Sequence, residues 1–352
     1  MTSNRITIEL ALQGGGAHGA MTWGILDRLL QEEDLEITAI SGTSAGAMNA
    51  AVLADGLEKG GRESAREALE TFWRAVSRSA SFSPIQRSLW SRLLGDWSLD
   101  HSLAYLGFDQ LSRVLSPYQL NPLNINPLRE LIVEQIDFER VNHCRAVQLF
   151  VTATNVRTGR PRVFRRGELS ADALMASAAL PFMFHAVEID GEAYWDGGYV
   201  GNPSLYPLVD ECPCRDLVIV QINPFVRDDV PRSARDIINR VNEITFNNSL
   251  LKELRAIQLL DDGLQARDPE LEAFRQMRLH RIHAGDALQS LSASSKLNAE
   301  WDYLLHLHDL GHSRAAAWLS EHGPDLGQRS TFDPAAVIGE TLKPPGGCRI
   351  DD

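Results

Sequence analysis

Ser44 is the residue whose sequence neighbours best prepare a side chain for covalent chemistry. It lies in Gly42-Thr43-Ser44-Ala45-Gly46, a G-x-S-x-G run between a short strand pattern at 37–40 and a small-residue helix pattern, AMNAAVLADGL. Between a strand and a helix, Gly42 and Gly46 allow a sharp bend that leaves room for a projecting serine, and the helix N-terminus stabilises developing negative charge. A serine near its ordinary pKa is a weak nucleophile and needs a base. Asp196, between a predicted Asp190-Gly191 hairpin turn and Gly197-Gly198, is the best-placed candidate, although such an aspartate is as readily an Asx turn.

A second loop carries three readings. Gly14, Gly16 and Gly19 match G-x-G-x-x-G after a strand pattern and before a helix pattern. A dinucleotide site would also need an acidic residue at the end of the next strand, about 20 residues on, to hold a ribose hydroxyl; that strand ends Ile40-Ser41-Gly42. A phosphate-binding P-loop needs a lysine where Ala20 follows Gly19. The third reading is an oxyanion hole, in which consecutive glycines turn their N–H groups toward one point without a Cβ penalty. A tight strand-to-helix turn with no chemistry remains the plain alternative.

These residues need a scaffold. Ile6, Ile8, Leu10 and Leu12 alternate as in a strand, Ala20, Trp23, Leu26, Leu29 and Leu30 recur at helical spacing, and a second strand and helix follow. Such a βαβα opening predicts a parallel sheet covered on both faces. Residues 63–137 turn helical and aromatic, with Phe72, Trp73, Phe82, Trp90, Trp97, Tyr105, Phe108 and Tyr118 close together, and read as an inserted helical cap. Asn126-Pro127 is a helix start. Strands are expected at 146–156, 187–195, 217–222 and 280–283, and helices at 170–180, 234–264 and 296–321. The proline-marked residues 324–352 read as a loosely ordered tail after a domain spanning 1–323.

Composition narrows the partners. Of 352 residues, 44% are hydrophobic and 23% charged, as in a globular chain with a sizeable core, and the formal net charge of −13 disfavours nucleic acid. Cys144, Cys212, Cys214 and Cys348 form no disulfide framework, and Cys212-Pro213-Cys214 is a poor zinc spacing, so no metal or cofactor is expected. Without a signal segment or a long apolar run, a cytoplasmic protein is expected. Arg157, Arg160, Arg162, Arg165 and Arg166 form either a solvated hairpin or an anchor for anionic lipid headgroups.

Four blocks in order, G-G-G-A-H-G at 14–19, G-T-S-A-G at 42–46, S-A-A-L-P-F at 177–182 and D-G-G at 196–198, resemble the patatin-like phospholipase family of bacterial type over residues 6–222. The resemblance implies a three-layer α/β/α sandwich and acyl-ester hydrolysis on lipids, with transient contact with a lipid surface. It makes Ser44 the nucleophile, Asp196 its partner in a Ser-Asp dyad, and Gly14, Gly15 and Gly16 the oxyanion loop. The family carries Arg or Lys where this chain has His18; a packing role is expected for it. Two alternatives stay open: a serine acyltransferase using the same acyl-enzyme, and a Ser-His-Asp esterase drawing on His280 or His283. A carboxylate base predicts activity extending below the histidine range of about pH 6.5, whereas a histidine base predicts a fall through it.

Overall fold

Neighbouring residues of the central strands belong to different cores. Ile8, Leu10 and Leu12 pack into one apolar cluster and Ala11 into another; Ile37 and Ile40 divide from Ala39, and Val218 and Val220 from Leu217 and Ile219, in the same way. A strand's side chains alternate between faces, so two cores mean a sheet covered on both sides. This is the architecture of a computed structural model describing residues 5–227, 229–262, 277–289 and 291–338.

The elements run β1 (Ile6–Leu12), α1 (Gly19–Leu30), β2 (Leu35–Gly42) and α2 (Ala45–Ala80), then α3 (Leu89–Leu93), α4 (Leu103–Ser112), α5 (Pro117–Leu120), α6 (Pro127–Gln135) and α7 (Phe138–His143). β3 (Gln148–Asn155), β4 (Pro161–Phe164), α8 (Ala171–Ala178), β5 (Val187–Ile189) and β6 (Glu192–Asp196) follow. The chain continues through α9 (Tyr206–Glu211), β7 (Asp216–Gln221), α10 (Ala234–Asp262), β8 (Arg278–His283), α11 (Trp301–His322) and α12 (Ala335–Ile338). One eight-stranded sheet has the order β5-β6-β3-β2-β1-β7-β8, with β4 also on β3. From β3 to β8 neighbours are parallel, and β4, β5 and β6 are antiparallel. The result is a mostly parallel α/β/α sandwich: α1, α2, α8 and α11 supply one layer, and α9, α10 and α12 the other.

Three expectations need adjusting. Residues 63–80 belong to α2, which continues past a kink at Gly60 and Gly61; Phe72 and Trp73 are buried in the main core. Trp73 Nε1 donates to Asn49 Oδ1 at 3.0 Å and its ring packs against Gly19, so this part of the aromatic segment is scaffold. The last long helix starts at Trp301; Ala293–Leu297 form a separate 3₁₀ turn. The expected tail is also packed as far as it is described. Leu326 and Phe332 are buried, Thr331 and Phe332 N–H both donate to Leu279 O at 3.0 Å, and the Arg281 guanidinium lies over the Phe332 ring. Pro324 and Pro334 stand at the starts of short helical turns, where a missing N–H is tolerated, and do not prevent docking, because the stretch covers the β8 edge with apolar side chains and paired amides. Residues 339–352, with Cys348, lie outside the described residues, as does the Trp90 side chain.

Candidate active site

The site forms where β1, β2 and β6 end. Ser44 stands between β2 and α2 with φ 54° and ψ −122°, a backbone conformation unfavourable for a residue with a side chain. Its surroundings hold that strain. Thr43 N–H donates to Leu12 O at 3.3 Å, Thr43 Oγ1 to Gly201 O at 2.6 Å, and Ser44 N–H to Ser177 Oγ at 2.9 Å. The Ser177 hydroxyl donates onward to Thr152 O at 2.6 Å, tying the elbow to β3. Both flanking glycines are required by close approach: a Cβ at Gly46 would lie 2.3 Å from Leu12 O, and one at Gly42 2.7 Å from Ala47 N.

Asp196, at the end of β6 opposite Ala153, is only 2% exposed. Its Oδ1 accepts the Gly198 N–H at 2.7 Å, so the Asx-turn role is real, and the Ser44 hydroxyl lies near enough to the carboxylate to favour its charged form. Burial pushes its pKa up to about 7, against the opposing pull of the Gly198 amide and Ser44. A carboxylate so raised would itself titrate near neutrality, so a fall in activity through pH 6.5 would not by itself identify a histidine base.

The histidines considered for a triad are engaged elsewhere. His280 is buried in mid-β8, with Nε2 3.0 Å from Asp216 Oδ1 and Nδ1 2.9 Å from Thr331 Oγ1; Asp216 opens β7, at the end of the strand remote from the site. His283 Nδ1 accepts the Gly285 N–H at 3.0 Å on the edge strand. Among the described residues no histidine hydrogen-bonds Ser44 or Asp196.

The glycine triplet divides into an anchor and two open amides, which corrects the expectation that all three glycines donate. Gly14 N–H is committed to Asn202 Oδ1 at 2.7 Å, and Gly14 O accepts from Asn223 Nδ2 at 2.6 Å. Among the described residues no protein group accepts from the Gly15 or Gly16 N–H, and Gly16 is exposed. Gly16 has φ +58°, and a Cβ there would meet Lys296 O at 2.5 Å. The dipole of the following helix adds positive potential. His18 is buried beside this loop, with Nε2 2.8 Å from Ser295 Oγ and its ring edge-on to Tyr303. Burial, reinforced by nearby Lys296 and Arg227, holds its pKa well below the ordinary value, so it is a neutral packing residue.

Four positioning residues had no role in the sequence reading: Gln13, Ser177, Asn202 and Asn223. Ser177 stood inside the S-A-A-L-P-F block, which was a usable signal; the two asparagines carried none, because their partners are some 200 positions away. The arginine cluster is largely satisfied internally, with Arg162 on Glu168 and Arg165 on Glu211, each at 2.6 Å, and Arg157 3.5 Å from Glu192. Among the described residues no three His, Cys, Asp or Glu side chains come together as a metal site, and no helix is long and apolar enough to cross a membrane.

A model of the patatin-like phospholipase family matches residues 10–209. Patatin-like phospholipase domain-containing protein ZK370.4 of Caenorhabditis elegans is 30% identical over 196 residues, which are 55% of this chain and only 12% of that protein. Among solved structures, VipD from Legionella pneumophila shares 16% identity at a TM-score of 0.34, covering 87% of this chain and 67% of that one. Full-length ExoU from Pseudomonas aeruginosa, in complex with SpcU, shares 16% at a TM-score of 0.30, covering 95% and 77%.

Proposed function

Because the chain belongs to the patatin-like phospholipase family, we propose that it is a serine lipid acyl hydrolase working through a Ser44–Asp196 dyad and a covalent acyl-enzyme. One arrangement carries this reading: a strained serine at a helix start, beside a buried carboxylate of raised pKa and two uncommitted glycine amides.

Ser44 Oγ attacks the ester carbonyl carbon while its proton passes to Asp196. The charge developing on the carbonyl oxygen meets the Gly15 and Gly16 N–H groups, with the α1 dipole behind them. Collapse of the tetrahedral adduct breaks the ester C–O bond, and the leaving alcohol takes the proton from Asp196. Water then attacks the acyl carbon and gives a proton to Asp196. The second collapse releases the free acid and returns that proton to Ser44. A carboxyl group of pKa about 7 is matched to this shuttle, since it accepts and releases a proton at comparable cost near neutral pH.

The apolar part of the substrate is assigned to the helical segment after α2. Phe82 and Leu103 are 91% and 86% exposed, and Leu93, Leu94, Val114, Leu123 and Ile125 are exposed along the same segment. A cavity of about 440 Å³ lies between this segment and the core, with Ile85, Phe108, Met183, Leu297 and Trp301 on its wall beside polar residues that include Arg92 and Glu300.

The test is reaction of the protein with a fluorophosphonate probe and turnover of a p-nitrophenyl ester, each with Ser44→Ala as control. Labelling and hydrolysis should both vanish in the variant while the circular dichroism spectrum is unchanged. Wild-type turnover by Ser44→Ala would overturn the assignment. Transfer of a labelled acyl group to an added acceptor in preference to water would make the protein an acyltransferase.

A further inference from the structure

Lys296 sits in the 3₁₀ turn Ala293–Leu297, distant in sequence from every block that marks the site, yet this turn packs directly against the glycine loop. Its backbone carbonyl lies against Gly16, and its neighbour Ser295 holds His18. The ammonium donates to Asn223 Oδ1 at 2.8 Å. Asn223 is buried, and its Nδ2 donates to Gly14 O at 2.6 Å and to Gln13 Oε1 at 3.2 Å. Gln13 Oε1 also accepts the Ile222 and Asn223 N–H groups, so the end of β1, the exit of β7 and the lysine form one hydrogen-bonded chain.

The charge is as informative as the contacts. The nearby carboxylate, Glu243, is taken by Arg227 at 2.6 Å and Arg240 at 3.2 Å. Among the described residues no carboxylate lies within ion-pair distance of Lys296. A partly buried ammonium spent on an asparagine amide makes little sense as a stability device, since burying a cation costs free energy that an ion pair would offset better. It makes sense if the amide must be oriented. With Oδ1 held by the ammonium, Asn223 presents its NH₂ to Gly14 and cannot flip to present oxygen.

We propose that Lys296 is a positioning residue for the oxyanion loop, acting through Asn223 to clamp the Gly14 carbonyl so that the Gly15 and Gly16 amides stay turned toward the reacting ester. The inference rests on the reading of Ser44 as nucleophile. Asn202 grips the other side of the same glycine, so losing the lysine link frees one of the two clamps.

The experiment compares Lys296→Met and Asn223→Ala with wild type in steady-state hydrolysis of a soluble p-nitrophenyl ester and in amide hydrogen exchange of the peptide covering residues 13–20. Both variants should lose roughly ten- to a hundredfold in kcat, somewhat less than deletion of an oxyanion donor, with KM within about twofold. Exchange in 13–20 should quicken at least several-fold while the β7 peptide is unchanged. A folded Lys296→Met or Asn223→Ala with wild-type kcat and unaltered loop exchange overturns the proposal. So does a loss confined to KM. If Lys296→Met does not fold, Asn223→Ala, which leaves the lysine in place, decides the matter alone. Wild type that neither labels with fluorophosphonate nor hydrolyses esters would sink the hydrolase reading instead, and the exchange comparison would still judge whether Lys296 orders the loop.

Discussion

The substitution Asp196→Asn should abolish the proposed ester hydrolysis and, above neutral pH, stabilise the protein. The carboxyl is almost fully buried, and burial lifts its pKa from 3.8 to about 7. An acid whose pKa is raised on folding binds its proton more tightly in the native state. Its contribution to stability is therefore complete below about pH 4 and is lost as pH rises through about 7. The roughly three units between the two states, at about 1.4 kcal/mol each, set an upper limit of about 4 kcal/mol. The substituted amide would keep an Oδ1 acceptor for the Gly198 N–H and escape the ionisation penalty. The variant should thus melt several degrees above wild type at pH 8 and at the same temperature near pH 4, while kcat falls by about three orders of magnitude or more. For wild type, with roughly a tenth of Asp196 ionised at pH 6 and nine-tenths at pH 8, kcat/KM should rise nearly tenfold between them. Calorimetric scans from pH 4 to 8 beside ester kinetics from pH 5 to 8 check both halves. A variant less stable than wild type at pH 8, or a wild-type rate flat from pH 8 to 5, would refute the claim that a buried, pKa-raised Asp196 is the base.

Gly16→Ala should cost roughly a hundredfold in kcat with about 1–3 kcal/mol of stability, because φ +58° and the Lys296 carbonyl 2.5 Å away both oppose a Cβ; wild-type kinetics would show that the loop tolerates rearrangement. His280→Ala should lose about 1–3 kcal/mol by breaking the Asp216–His280–Thr331 network yet keep its kcat and pH profile, as should His283→Ala; collapse of activity in either folded variant would replace the dyad with a triad. Phe82→Ser and Leu103→Ser should lower activity on micellar lipid while sparing monomeric ester and the melting temperature, whereas Trp97→Ala, which removes a ring stacked 5.0 Å from Tyr303 and covered by Arg87, should lower stability without changing substrate preference. Equal effects of all three on monomeric and micellar substrate would make the segment plain scaffold.

The strand-loop-helix opening, the Ser44 elbow and the Asp190-Gly191 hairpin were legible in the sequence because their causes are local. Apolar periodicity follows from which face of an element is buried, and Gly42 and Asp190-Gly191 answer backbone demands arising within a few residues. The apolar run at β7 announced a strand covered on both faces for the same reason. What the tertiary structure alone decided depends on partners far along the chain and on burial, which no local pattern encodes. Gly14 looked like its two neighbours until Asn202 and Asn223 claimed its peptide groups. Asp196 looked like an ordinary carboxylate until enclosure pushed its pKa to about 7. Trp73 read as a cap aromatic until Asn49 and Gly19 drew it into the core, and the proline-marked stretch after Gly323 read as a tail until Leu279 and Arg281 on β8 gave it a surface to cover. Hydrogen-bond partners and desolvation are set by everything that packs around a group, so the residue types specified which chemistry was available, and the packing chose which amides, which carboxylate and which lysine lie around Ser44 and the glycine loop.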